Sequence, residues 1–91
     1  MNPTGTVSRQ AAAFQPIYSP WRHGGWYVDN VQYPSGAVGC VSRNYPDRKW
    51  RIVCDEREPR PTYPSRDAAA LAELELTEAA KWLLDIRHHE S

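Results

Sequence analysis

Ninety-one residues carry eleven basic and eleven acidic side chains, so no net charge draws the whole chain toward nucleic acid or a membrane surface. The length suits one domain with a modest core, and no run of 18 apolar residues exists to span a bilayer. Two cysteines cannot build the disulfide framework of a small secreted scaffold. With no basic start followed by an apolar stretch, no signal peptide is visible, and a cytoplasmic protein with reduced thiols is expected.

The neutral total hides an uneven distribution. Residues 22–66 hold eight Arg or Lys against five acids, whereas residues 67–91 hold six acids against Lys81 and Arg87. A mildly basic region therefore precedes an acidic one, as in a domain with two chemically different faces.

Residues 1–13 have few large apolar groups and no periodicity, which predicts a disordered tail ahead of one domain over 14–91. Phe14, Ile17, Tyr18 and Trp21 are interleaved with Pro16 and Pro20, a density of proline that forbids a regular helix or a central strand. The segment 14–25 reads as an irregular extended arm laid against the domain, released at Gly24-Gly25. A strand is expected over 26–33. Tyr33-Pro34-Ser35-Gly36 then reads as a turn, with proline presetting its dihedral and glycine taking the left-handed position. A second strand follows at 37–44, a second turn at 45–49 and a third strand at 50–56. The three prolines within 57–64 rule out strand pairing there. Ser65 caps a helix predicted over 65–88. The expected fold is α+β: a three-stranded antiparallel sheet packed on one long C-terminal helix, in the order β-β-β-α.

The two loop lengths predict a register. Trp26, Val28, Asn30 and Gln32 should oppose Asn44, Ser42, Cys40 and Val38, with Asn44, Ser42 and Cys40 opposing Trp50, Ile52 and Cys54 in turn. The core face would then carry Trp26, Val28, Val38, Cys40, Trp50, Ile52 and Cys54. On the helix, Ala69, Ala72, Leu76, Ala79, Leu83 and Ile86 recur at spacings of three and four as the covering stripe, and Trp26, Trp50, Ile52, Leu76 and Leu83 should be buried together. A helix of that length outreaches strands of eight residues, so Trp82, Leu83 and Ile86 should overhang the sheet as a protein-interaction surface.

The opposite sheet face should align Tyr27, Arg43 and Arg51 in one row, with Tyr45 and Lys49 flanking the second turn. Cations neutralise phosphates and tyrosine rings offer stacking surface, so these five residues are the candidate nucleic-acid contacts. The same side chains also suit a plain solvated face on which arginine stems cover tyrosine rings.

Lys49-Trp50-Arg51-Ile52 on a strand, followed by Tyr63, Ser65, Ala68 and Ala69 at a helix start, resembles the arm-binding domains of phage-type integrases and the plant ethylene-response-factor DNA-binding domains. The resemblance covers about residues 26–75. It implies a sheet laid in the major groove, with Arg43, Lys49 and Arg51 reading DNA rather than RNA. The alternative is a protein-interaction module or homodimer subunit associating through the apolar helix and the aromatic arm.

Other chemistry finds no support in the pattern. Cys40 and Cys54 are expected to face each other across adjacent strands as two free thiols. They lack a Cys-x-x-Cys spacing, and His23, His88 and His89 are remote in sequence, so no metal site is expected. His88-His89 at a helix end suits the helix dipole. No nucleophile elbow, phosphate loop or Ser-His-Asp order appears, and a non-enzymatic protein without cofactor or small-molecule substrate is expected.

Overall fold

The computed structural model describes residues 14–90. The tail expected at 1–13 and the side chains of His88 and His89 lie outside what it describes. Four antiparallel strands, β1 (Tyr18–Trp21), β2 (Gly25–Gln32), β3 (Val38–Ser42) and β4 (Arg51–Ile52), form one sheet in chain order. The helix α1 (Arg66–Glu90) packs on it. The fold is therefore α+β, with one helix among the described residues, at the C-terminal end, as the turn and cap signals require. No helix among the described residues is long and apolar enough to cross a membrane.

Both turns form. Gly36 takes φ +96° and donates its N–H to the Tyr33 carbonyl, while Tyr33 N–H bonds the Ala37 carbonyl. In the second turn Arg48 takes the left-handed conformation at φ 59°. Ser65 caps α1, its Oγ accepting from Ala68 N–H at 3.0 Å.

The arm is more regular than expected, because its second half is an edge strand. Tyr18 to Trp21 pair with Val28 to Gly25, and Pro20 is tolerated because an edge strand has one ladder face without partners. Arg22-His23-Gly24 closes the hairpin, with Gly24 N–H bonding the Trp21 carbonyl at 3.1 Å. The third strand is shorter than expected, with Val53 and Cys54 in a turn. Trp50 instead bridges to Tyr63, inside the proline-rich segment expected to pair with nothing. Prolines 61 and 64 flank Tyr63 and leave its own N–H free to bond the Trp50 carbonyl at 2.9 Å.

The register departs from expectation in both pairings of β3. Against β4 it slips by one residue, so that Ser42 opposes Arg51 rather than Ile52, and the Cys40 carbonyl accepts from Val53 N–H rather than Cys40 facing Cys54. Against β2 it shifts within the strand. Gln32 opposes Val38 as predicted, but the next paired residue is Val28, opposite Gly39, so Asp29, Asn30 and Val31 have no partners in β3. Those residues serve β1 instead. Asp29 N–H bonds the Ile17 carbonyl, Asp29 Oδ1 accepts from Ser19 Oγ, and the Asn30 amide bonds both Ile17 N–H and the Gln15 carbonyl. Three extra residues, an odd number, reverse the facing of β3 relative to β2. Val41 now opposes both Trp26 and Ile52, and Gly39 opposes Val28.

The core that results is Val28, Val31, Val41, Ile52, Ala69 and Ala70, with Phe14, Tyr18, Trp26, Trp50 and Leu76 packed around it. Val38 and Cys54, assigned to the core face from sequence, are exposed. Cys40 is buried but sits on the other side of its strand's alternation, and both cysteines are free thiols.

The helix is also turned from its expected orientation. Ala69, Ala70, Glu73 and Thr77 are the residues fully shielded against the sheet, while Leu83 is 52% exposed. Spacings of four along 69–73–77 and a pair of alanines bring the helix backbone close to the sheet, which the bulkier stripe through Leu76 and Ala79 would not allow.

Candidate functional site

The expected row of Tyr27, Arg43 and Arg51 does not form. Tyr27 lies opposite Cys40, Arg51 opposite Ser42, and Arg43 just beyond the end of β3. The bulge in β2 moves Tyr27 away from Arg43, and the one-residue shift of β4 against β3 moves Arg51 away from it. A smaller constellation gathers at the second turn. Arg51 donates through both terminal nitrogens to the Asp47 carboxylate at 2.7 and 2.8 Å, and its guanidinium lies 4.8 Å from the Tyr45 ring centroid. That fork holds the Asp47 carboxyl well below the usual range. Arg60 donates to the Tyr45 hydroxyl at 3.3 Å, and Arg43 stacks 5.6 Å from the Trp50 centroid. Lys49 is exposed, with its backbone N–H on Asp47. Tyr45, Arg51, Glu58, Pro59 and Arg60 line an open cleft of about 300 Å³.

Much of the basic charge in the sheet region is thus already engaged. Arg51 is matched by Asp47. Arg57 holds Asp55 in a fork, with contacts of 2.6 to 3.1 Å, and keeps that carboxyl below its ordinary value. Arg66 stacks on Tyr18 at 4.0 Å and on Trp26 at 5.0 Å, sealing the start of α1. The exposed cations around the second turn are Arg43, Arg48 and Lys49.

The other expected surface is the far end of α1. At about 1.5 Å per residue, its 25 residues extend well past a sheet whose longest strand has eight. Shielding by the sheet stops at Thr77. Beyond it Trp82 is 62% exposed, Leu83 52% and Leu84 41%, with Ile86 half-buried. Leu84, expected from sequence only to widen the covering stripe, joins this surface. Its helical position faces the same way as Ala70, Glu73 and Thr77, so it would be covered if the sheet extended that far.

The aromatic arm does not cover this end. Phe14 and Tyr18 pack on the core, and Tyr18 donates its hydroxyl to Asp67 at 2.6 Å, in the first turn of the helix. Ile17 is 58% exposed, and Trp21 packs edge-on against His23 at 4.9 Å. The arm is therefore tied to the start of α1, and the apolar end has no cover from it.

One polar residue was missed from sequence. Glu73 is fully buried in the helix–sheet interface, accepting from Tyr33 O–H at 2.6 Å and Cys40 N–H at 2.8 Å. Its position between Ala69-Ala70 and Thr77, four residues apart on one helical face, was the available signal. No cluster of three or more His, Cys, Asp or Glu among the described residues is arranged to hold a metal. Burial pushes the Cys40 thiol up to about 12, and desolvation by neighbouring chain together with the Glu73 carboxylate raises that of the surface-exposed Cys54, so neither is an activated nucleophile. No family model, curated protein or solved structure matches this chain.

Proposed function

We propose that the protein is a self-associating interaction module whose contact surface is the C-terminal half of α1. The observation that carries this reading is the run Trp82, Leu83 and Leu84, exposed together on a helix that has outrun its sheet. At about 100° per residue, Trp82, Leu83 and Ile86 fall within one arc of about 100° on the helix, a patch that water disfavours, with Leu84 at its margin. The arm that could have covered it is committed to the opposite end of the helix. A second copy offers the same apolar surface, and two-fold pairing buries both at once. Sedimentation equilibrium should give a dimer whose population rises with concentration, while Leu83→Asp stays monomeric with an unchanged far-ultraviolet spectrum. A wild-type chain that remains monomeric up to millimolar concentration would reject this reading.

A second reading, nucleic-acid binding, draws on a different observation. Arg43 lies over Trp50 and Arg51 over Tyr45, with Arg48 and Lys49 exposed beside them, so cations and aromatic rings share one turn. This is the region of the resemblance to sheet-based DNA-binding domains, and Tyr27 would lie at its margin. Fluorescence anisotropy with duplex DNA, single-stranded DNA and RNA at low salt is the test. Binding should weaken steeply with salt, and replacing Arg43 and Lys49 by alanine should flatten the logarithmic salt slope on duplex DNA by about 1–2. Absence of binding to all three at low salt would leave self-association alone.

A further inference from the structure

We infer that Glu73 is a proton-linked latch between α1 and the sheet, closed when its carboxyl is protonated and weakened when it ionises. The latch is built from both sides of the interface. From the helix, Glu73 projects between Ala70 and Thr77, and all three are fully shielded. From the sheet, Gly39 leaves the space that the carboxyl occupies. A Cβ placed there would lie 2.7 Å from Oε1 and 3.0 Å from the carboxyl carbon. Cys40 N–H closes on Oε1 at 2.8 Å, and Tyr33 O–H closes on Oε2 at 2.6 Å.

The surroundings favour the neutral acid. The titratable groups that interact with Glu73 are the Tyr33 phenol beyond β2, the Cys40 thiol on the other side of β3, and Cys54 and Asp55 beyond β4. Desolvation raises the Tyr33, Cys40 and Cys54 groups, so all three are neutral at ordinary pH. Asp55 is negative and repels a second negative charge, and its partner Arg57 is bound to it in a fork rather than to Glu73. Arg60 acts on Asp55 and Cys54 from the same loop, but bonds the Tyr45 hydroxyl. An ionised Glu73 would be a buried anion with two neutral donors and no ion pair among the described contacts, a costly arrangement. Burial outweighs the two hydrogen bonds and lifts the carboxyl to about 7. When protonated, Oε2–H can donate to the Tyr33 hydroxyl oxygen while Oε1 keeps the Cys40 N–H. Tyr33 is half-buried, so its own hydrogen can turn toward solvent.

The direction of the pH effect follows from linkage. The folded value lies above the ordinary glutamate value of about 4.3, so the folded state holds this proton more tightly than the unfolded chain. The stabilisation is complete below that ordinary value and is lost as pH rises through about 7. Asp47 and Asp55 work in the opposite sense, since their lowered values contribute stability that is lost only in acid. The interval from pH 5 to 8 therefore separates Glu73 from these two aspartates, and the Glu73→Gln comparison separates it from the three histidines.

Denaturant unfolding at pH 5, 6.5 and 8 should show the unfolding equilibrium constant of the wild type rising by about 50- to 100-fold across the interval. In Glu73→Gln the amide can accept from Cys40 N–H and donate to the Tyr33 oxygen, so its stability should be nearly flat over the same range. A flat wild-type profile, or an unchanged slope in Glu73→Gln, would overturn the latch. Carbon-13 titration of the wild-type Glu73 carboxyl checks the point without any substitution. A midpoint near neutrality supports the proposal, and one near the ordinary glutamate value refutes it.

Discussion

Truncating Ile52 to alanine is expected to destabilise the domain by about 2–5 kcal/mol, the range for a buried aliphatic. Ile52 is fully buried on the two-residue strand β4, opposite Val41 and within the cluster of Val28, Val31, Ala69 and Ala70. Two of those neighbours are alanines, whose side chains have no rotamers with which to fill the space left behind. The surrounding valines are stiff at χ1 and adapt little. The cavity should therefore persist, and its cost adds to the lost transfer energy of the removed carbons. Urea unfolding should show a lower midpoint with a similar slope. A loss below about 1 kcal/mol would place Ile52 outside the core.

Gly25→Ala should be comparably damaging through the opposite mechanism, since nothing there can yield. A Cβ at this position would lie 2.6 Å from the Val41 carbonyl oxygen, 2.8 Å from Ser42 Cβ and 3.0 Å from the Trp21 ring. The first of these is backbone held in the β2–β3 ladder, so relief requires the strands to move apart at the point where β1, β2 and β3 meet. Overpacking of this kind costs about 1–3 kcal/mol and occasionally more. Thermal unfolding would reveal it as a lowered Tm, with amide shifts concentrated at Val41 and Ser42. Wild-type stability in this variant would show that the two strands are farther apart than the backbone indicates.

The same pair of positions explains how much of the molecule is legible from sequence. Turn chemistry at Pro34-Ser35-Gly36 and the Ser65 cap locate the hairpin and the helix start, because each depends on neighbours within a few residues. Trp26, Val28 and Ile52 fall on the inward face for the same local reason. What escapes is set by contacts between remote segments. Asp29 and Asn30 look like ordinary strand residues until β1 is seen to use them, and the resulting bulge turns Val41 inward. Reading β1 as an arm hid that partner.

The helix shows the same division. Its length and amphipathic composition were evident, but its rotation depended on Gly39, which makes room for Glu73 against the sheet. An apolar count favours the stripe through Leu76 and Leu83, and it is that stripe's far end that stays exposed. The position of Trp82, Leu83 and Ile86 beyond the sheet was legible because overhang depends only on element lengths. The basic row was not, because it depended on register.

These features give α1 two roles along its length. Its first three turns are fastened by alanines, Glu73 and Thr77, while its later turns present apolar surface beyond the sheet. Hydrogen exchange of the backbone amides, measured at low and high protein concentration, tests that division most directly. Amides over 70–77 should be protected at both concentrations, whereas those over 80–87 should exchange rapidly when dilute and slow markedly as the protein associates. Exchange over 80–87 that is the same at both concentrations would contradict the assignment of this end of the helix as the association surface.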